Sequence, residues 1–133
     1  MKIGISAIIC LLLFSLCVAQ TGDKKKKTRK VVYGTASFYS KRFEGAITAT
    51  GDTFHHNLPM AASNNFPLET WVRVTNLKNN KSVIVRIADR MHVDMARDGR
   101  VVDLTRTDAA KLDFIKRGLA RVKVEEVPEG TLL

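Results

Sequence analysis

The chain has 133 residues, with 22 lysine and arginine residues against 13 acidic ones and a formal net charge of +9 at pH 7. This length is enough for one domain with a single core. A cation of this size favours an anionic partner, such as a nucleic acid, a membrane surface or an acidic polymer.

The first 19 residues have the pattern of a secretory signal peptide. Lys2 precedes a mostly apolar run over residues 3–16, and the small residues Cys17, Val18 and Ala19 follow. Small residues are typical of a signal-peptide cleavage site, so we expect cleavage after Ala19. The run is shorter than the roughly 18 apolar residues that a membrane span needs. Export to the periplasm or cell envelope argues against a nucleic-acid partner.

Both cysteines, Cys10 and Cys17, lie in this segment, so the mature domain is expected to contain no disulfide. Cys17 is also a candidate for lipid attachment, although the large Leu16 before it favours soluble export. Residues 20–31 are expected to form a basic linker, with six cations between positions 24 and 30. This run is either a solvated flexible segment or a tether to an anionic membrane surface or wall polymer.

A folded domain is predicted over residues 32–128, followed by a loose tail at 129–133. Residues 32–39 have strand composition, and Gly34 and Ala36 would allow another backbone or a ligand to approach closely. Loops are predicted at 40–46 and around His55, and small-residue stretches follow at 48–52 and 60–63.

Residues 70–75 and 82–88 alternate apolar and polar side chains and are joined by a polar turn, which predicts an antiparallel hairpin. A short apolar strand near Val102 is predicted to enter a helix capped by Thr105 and ended by Gly118. A last strand over 119–127 is predicted to point Val122 and Val124 inward. A mainly β protein with six or so strands and one or two short helices must hide its sheet edges, which favours a small closed barrel.

The aspartates are the best candidates for chemistry. Asp89 directly follows a buried strand, so it is either a general acid or base or a turn cap paired with Arg90. Asp103 lies between apolar neighbours, so it is either a partly buried acid of raised pKa or a helix N-terminal acid. Asp52 follows Gly51 and has the position of a turn residue, and Trp71 is either a core residue or a stacking surface for sugar rings.

The three histidines, His55, His56 and His92, do not have the spacing of a metal site, because adjacent side chains on a strand point apart. The sequence contains no glycine-rich phosphate loop and no serine nucleophile elbow. We therefore expect no metal and no cofactor.

Six stretches, taken together in order and spacing, resemble the rare lipoprotein A family. They are Gly-Thr-Ala-Ser-Phe-Tyr at 34–39, Thr-Ala-Thr-Gly-Asp at 48–52, Ala-Ala at 61–62, Val-Arg-Val-Thr-Asn at 72–76, Val-Arg-Ile-Ala-Asp-Arg at 85–90 and Val-Asp-Leu-Thr at 102–105. The resemblance implies a double-psi β-barrel, the fold of expansins and barwin-like proteins, in an exported bacterial protein that acts on peptidoglycan. Family members are lytic transglycosylases that cut glycan strands lacking stem peptides.

The resemblance also assigns roles to particular residues. Asp89 is expected to be the catalytic acid and base, with Asp52 in support. Ser63, which stands where the family has a histidine, is expected in the cleft. The usual Gly-Pro-Phe after the Asp-Arg pair is replaced by Met91, His92 and Val93. The residues expected to contact substrate are Ser63, Arg90, Asp103 and Tyr39.

The implied reaction cleaves between N-acetylmuramic acid and N-acetylglucosamine and forms a 1,6-anhydro product without a water nucleophile. The expected partner is the peptidoglycan glycan strand, and we expect a monomer. A non-catalytic glycan-binding or wall-loosening module like the expansins remains the alternative. A secreted barrel that binds a protein of a competitor or host is a third reading.

Overall fold

The computed structural model describes residues 28–133, which form one closed barrel of six strands. The strands are β1 (Val31–Phe38), β2 (Met60–Ala62), β3 (Trp71–Asn76), β4 (Ser82–Asp89), β5 (Arg100–Leu104) and β6 (Ala120–Val127). The helices are α1 (Val93–Arg97), α2 (Arg106–Lys111) and a 3-10 helix at Lys41–Phe43. The expected signal peptide, Cys17 and the first four cations of the basic run lie outside the described residues.

The strands follow one another around the barrel in the order β1-β5-β2-β4-β3-β6, and β6 returns to β1. The β1–β5 and β2–β4 pairs are parallel, and the other pairs are antiparallel. Because every strand has two neighbours, no edge is left open to pair with another chain. The prediction of a small closed barrel is confirmed.

The hairpin predicted from alternating side chains is the β3–β4 pair. Val72 lies opposite Val85 and Val74 opposite Val83, and all four side chains are buried in the barrel core. The inward direction of Val122 and Val124 is likewise confirmed. Lys30, placed in the expected linker, already pairs with the sheet, because its carbonyl accepts from the Glu126 N–H at 3.0 Å.

The helices differ from the prediction in two places. The Thr105 hydroxyl accepts from the Asp108 N–H at 3.0 Å, as expected of a cap, but α2 ends at Lys111 rather than at Gly118, and Asp113 then takes a left-handed φ of 64°. No helix was predicted directly after Asp89, yet this polar segment contains α1. The ring of His92 caps α1 by accepting from a backbone N–H, a role that sequence rules assign to serine, threonine, aspartate or asparagine. No helix within residues 28–133 has the length and apolar character needed to cross a membrane.

Two strands each carry one extra residue at a bulge. In the β2–β4 pair, Ala61 lies opposite Ile87 and Ala62 opposite Asp89, so Ala88 is the extra residue. In the β1–β5 pair, Thr35 lies opposite Arg100 and Ala36 opposite Val102, so Val101 is the extra residue. A bulge interrupts the in-and-out alternation and redirects the side chains that follow it.

Gly34 lies where β1 closely approaches the bulge of β5. A Cβ atom at this position would lie 2.4 Å from Val101 Cγ1 and 3.0 Å from the carbonyl oxygen of Gly99. We expect Gly34→Ala to lower the free energy of unfolding by about 1–3 kcal/mol through overpacking, measured by urea denaturation. In a Val101→Ala background the same substitution should cost less, and an equal cost in both backgrounds would rule out this contact as the cause.

Candidate active site

An open cavity of about 510 Å³, here called the acid cleft, lies where β1, β4 and β5 end. Two carboxyl groups line it, those of Asp89 and Asp103. One wall is the segment 40–48, which follows β1, and the other is the segment 90–95, which follows β4. The cleft therefore brings together residues that are distant in sequence.

The short strand β2 sets the spacing of the two acids. Ala62 pairs with Asp89 of β4 on one side and with Asp103 of β5 on the other. Neighbouring strands lie about 4.8 Å apart, so the two aspartate backbones are roughly 10 Å apart across β2. This spacing allows both side chains to line the same cleft.

Two donors hold the Asp89 carboxylate in place. The Tyr39 hydroxyl donates to Oδ2 at 2.7 Å, and the Ala49 backbone N–H donates to Oδ1 at 3.0 Å. Burial raises the pKa of Tyr39, and the hydrogen bond to Asp89 raises it further. The phenol therefore stays protonated and remains a donor to Asp89.

Asp103 lies deeper in the cleft, with only 8% of its surface exposed. Its Oδ1 accepts from the Ser37 hydroxyl at 3.0 Å. Burial raises the pKa of Asp103 to about 6, the neighbouring charge of Asp89 acts in the same direction, and Ser37 and Arg100 oppose the shift. Asp103 can therefore carry a proton at a pH where an ordinary aspartate cannot.

Asp52 is exposed beside the cleft rather than in its lining. Its Oδ2 accepts from the Thr50 hydroxyl at 2.8 Å and lies 3.0 Å from Nη2 of Arg86, and these contacts lower the pKa of Asp52. Thr50 in turn donates its backbone N–H to the carbonyl of Ala88 at 3.1 Å. Asp52 thus stabilises the turn from which the backbone N–H of Ala49 donates to Asp89.

Ser63 was expected in the cleft, but the structure places it inside the wall with no exposed surface. Its hydroxyl donates to the carbonyl of Val101 at 2.7 Å, the residue at the β5 bulge, and its backbone N–H donates to the carbonyl of Asp89 at 3.1 Å. A bulge leaves a backbone group without its partner in the sheet, and the hydroxyl satisfies it. Ser63 connects the strands of the two acids and has no surface with which to contact a substrate.

Arg90, predicted to contact substrate, lines the cleft and also anchors its wall. Its Nη1 donates to the carbonyls of Ser63 at 2.7 Å and Phe66 at 2.6 Å. Trp71, considered as a stacking surface, is partly exposed at the start of β3 and is not among the lining residues.

The apolar rim of the cleft was not predicted. The ring of Phe54 stacks on Tyr39 with centroids 4.2 Å apart, and Phe43 meets Tyr39 edge-on at 5.6 Å. Ile47, 70% exposed, lines the same wall. The segment 40–46 was interpreted only as a polar loop. Phe43 within it and Ile47 next to it were the signal in the sequence for an apolar surface.

The three histidines make separate structural contacts and do not form a metal-binding cluster. The Glu44 carboxylate accepts from the backbone N–H of His56 and contacts the ring of His55, and His56 Nδ1 accepts from the N–H of Arg106 at 3.0 Å. His92 lines the cleft while capping α1. Within residues 28–133, no three His, Cys, Asp or Glu side chains lie close enough together to hold a metal ion.

A family model described as "Lytic transglycolase" matches residues 31–124. Proteins named endolytic peptidoglycan transglycosylase RlpA are similar to more than two thirds of the chain. The one from Neisseria meningitidis is 41% identical over 73% of this chain, and the one from Pseudomonas aeruginosa strain PAO1 is 47% identical over 71%. The matched region covers 39% and 27% of these relatives, so the chain corresponds to less than half of either.

Solved structures show the same fold at low sequence identity. A Streptomyces papain inhibitor has a TM-score of 0.58 and 21% identity, covering 74% of this chain and 96% of its own. An expansin from Clavibacter michiganensis has a TM-score of 0.59 and 18% identity, covering 77% of this chain and 53% of its own. Together with the family model, these likenesses confirm the expected double-psi β-barrel.

Proposed function

The chain belongs to the lytic transglycolase family, which confirms the resemblance to rare lipoprotein A, and from the acid cleft we propose that it cleaves peptidoglycan glycan strands. The observation that carries this proposal is a pair of carboxyl groups, Asp89 and Asp103, in one open cleft with different surroundings. The named activity of the relatives supports the choice of substrate and reaction.

The proposed reaction breaks the bond between C1 of N-acetylmuramic acid and O4 of N-acetylglucosamine. The 6-hydroxyl of the same muramic acid attacks C1, and this new bond closes a 1,6-anhydro ring. One proton leaves O6 and one proton reaches O4, so the reaction needs a base and an acid but no water nucleophile.

The cleft offers one group for each proton. We assign Asp89, which is the more accessible of the two and is fixed by Tyr39 and Ala49, as the base that receives the proton from O6. Asp103, whose burial raises its pKa to about 6, is the acid that protonates the departing O4. The sequence interpretation gave both steps to Asp89, and the pairing with Asp103 divides them.

Two further residues and the apolar rim have supporting roles in this proposal. Asp52 positions the turn that carries Ala49, and its contacts with Thr50 and Arg86 make it a fixed anion rather than a proton donor. Arg90 presents positive charge to the cleft while anchoring its wall. Phe43 and Ile47, the exposed members of the apolar rim, provide surfaces on which sugar rings can rest.

We place this activity in the cell envelope, where the substrate is found. The expected signal peptide and the alternative lipid anchor at Cys17 would both deliver the protein there. A single copy of the chain contains every cleft residue named above, so the proposal needs only a monomer.

The direct test is to incubate purified protein with glycan strands that lack stem peptides and to analyse the products by mass spectrometry. We expect fragments with 1,6-anhydro ends. Strand binding without such fragments would overturn the enzymatic proposal and favour the alternative, a non-catalytic glycan-binding module.

Tyr39→Phe tests the donor that holds Asp89. The substitution removes the hydroxyl but keeps the ring that stacks on Phe54, so we expect turnover to fall about tenfold with little change in melting temperature. Tyr33→Phe is the matched control, since Tyr33 lies on β1, the strand that ends just before Tyr39, but is exposed outside the cleft. Equal turnover in both variants would show that Tyr39 does not position Asp89 for the reaction.

A further inference from the structure

A second cavity, of about 650 Å³ and here called the basic cavity, shares no lining residue with the acid cleft. It lies where β3 ends at Asn76, beside the turn into β4 and the segment between α2 and β6. Because β3 and β4 are antiparallel, Asn76 is next to the start of β4, whereas Asp89 is at its end. The length of β4 separates the two sites by roughly 20 Å.

Side-chain hydrogen bonds join the walls of the basic cavity to one another. The side-chain amides of Asn76 and Asn79 both donate to the carbonyl of Leu112, at 2.8 and 3.0 Å, and so join the β3–β4 turn to the end of α2. Asn76 is 3% exposed, and its Oδ1 also accepts from the N–H of Lys78 at 3.0 Å. A ligand would therefore meet a preformed site rather than two loose loops.

The cavity has an excess of positive charge. Three exposed cations, Lys78, Arg117 and Arg121, line it against one acid, Asp113. Within residues 28–133 none of the three forms an ion pair, whereas Arg73 and Arg86 on the barrel are paired with carboxylates. Charges concentrated at one cavity and not neutralised by neighbours favour an anionic ligand.

The floor of the cavity is apolar. Phe114 is buried at its base, and Leu119 and Ala120 continue the apolar surface. A fully polar phosphate polymer would leave this floor uncovered, and a neutral sugar would leave the arginines without partners. An acidic peptide with small apolar side chains matches both the floor and the rim.

We propose that the basic cavity binds the acidic stem peptides of peptidoglycan, at the end of the barrel opposite the acid cleft. This inference rests on the proposed function, because peptidoglycan supplies both ligands. Its stems combine alanine methyl groups with carboxylates, which pair with arginine through charge-assisted hydrogen bonds. The protein would then hold the wall by its peptides while the cleft engages a strand.

The test is to titrate the protein with the free stem tetrapeptide and to follow amide resonances by NMR. We expect shifts around the basic cavity, weaker binding at high salt, and about a tenfold loss of affinity in Arg117→Ala and in Arg121→Ala. Lys116→Ala is the matched control, because Lys116 is exposed next to Arg117 but does not line the cavity. Equal affinity in all four proteins, no binding, or shifts confined to the acid cleft would each overturn the proposal.

Two further measurements separate this site from the catalytic one. Arg121→Ala should cleave peptide-free strands at the wild-type rate, and Asp89→Asn should bind the tetrapeptide with wild-type affinity. If the protein binds the tetrapeptide but does not cleave strands, the proposed activity of the acid cleft is wrong and the proposed peptide site stands. Binding of a polyphosphate or of anionic vesicles in place of the tetrapeptide would overturn the peptide assignment.

Discussion

Asp89→Asn is expected to lower the release of 1,6-anhydro products by about 10²- to 10⁴-fold, the usual contribution of a positioned acid or base. The amide keeps the size of the side chain but cannot take the proton from O6. Its Oδ1 can still accept one hydrogen bond, so the fold should persist. Strand binding should also persist, because the sugar contacts of the cleft walls are unchanged.

The measurement is product release from peptide-free strands, combined with strand binding and the melting temperature. Asp94→Asn is a suitable control, since Asp94 is an exposed acid on α1 that pairs with Arg97 and does not line the cleft. Product release by Asp89→Asn at the rate of the Asp94 variant would refute the role of Asp89 as base.

Asp103→Asn is expected to change stability and activity in opposite directions. Burial raises the pKa of Asp103 from 3.8 to about 6, so the folded state holds the proton more tightly than the unfolded state. Well below pH 3.8 both states are protonated, and burial of the side chain carries no ionisation penalty. Between pH 3.8 and about 6 the unfolded side chain ionises while the folded one keeps its proton, so stability falls, by up to about 3 kcal/mol once the pH is above 6.

The neutral amide avoids that cost. We therefore expect Asp103→Asn to raise the free energy of unfolding by about 1–3 kcal/mol at pH 7 and to leave it nearly unchanged at about pH 3, measured by urea denaturation at both values. Glu129→Gln, a change at an exposed acid of the tail, should show no such gain. A gain for Asp103→Asn that is equal at both pH values would refute the ionisation argument.

Catalysis should respond in the other direction. Wild-type turnover is expected to fall as the pH rises above about 6, because Asp103 loses the proton that it donates to O4. Asp103→Asn should lower turnover at least tenfold at pH 5 and should abolish this fall. A variant that retains the wild-type pH profile would show that another group is the acid.

Much of the barrel follows from local patterns in the sequence. The alternating valines of 70–75 and 82–88 predict the β3–β4 hairpin, and Thr105 with Asp108 predicts the start of α2, because each depends on residues close in the chain. The family motifs, rather than periodicity, predicted a cleft that contains Asp89, Asp52 and Ser63, whereas the structure lines the cleft with Asp89 and Asp103.

The bulges explain why periodicity alone fails at the site. Val83, Val85 and Ile87 point into the core, so strict alternation would place Asp89 in the core as well. The extra residue Ala88 turns Asp89 outward instead. Ser63 was predicted in the cleft but is buried in its wall for a related reason. Its hydroxyl donates to a carbonyl at the β5 bulge, and no local sequence pattern reveals that bulge.

The bulge at Ala88 also divides β4 into two functional parts, and the bulge at Val101 sets the register of Asp103 on β5. On β4, the side chains of Val83, Val85 and Ile87 before the bulge fill the barrel, and Asp89 after it lines the cleft. Core side chains can therefore be exchanged for others of similar volume without redirecting the acids. A protein engineer could redesign the cleft walls for another polymer while keeping the barrel, provided that both extra residues are retained.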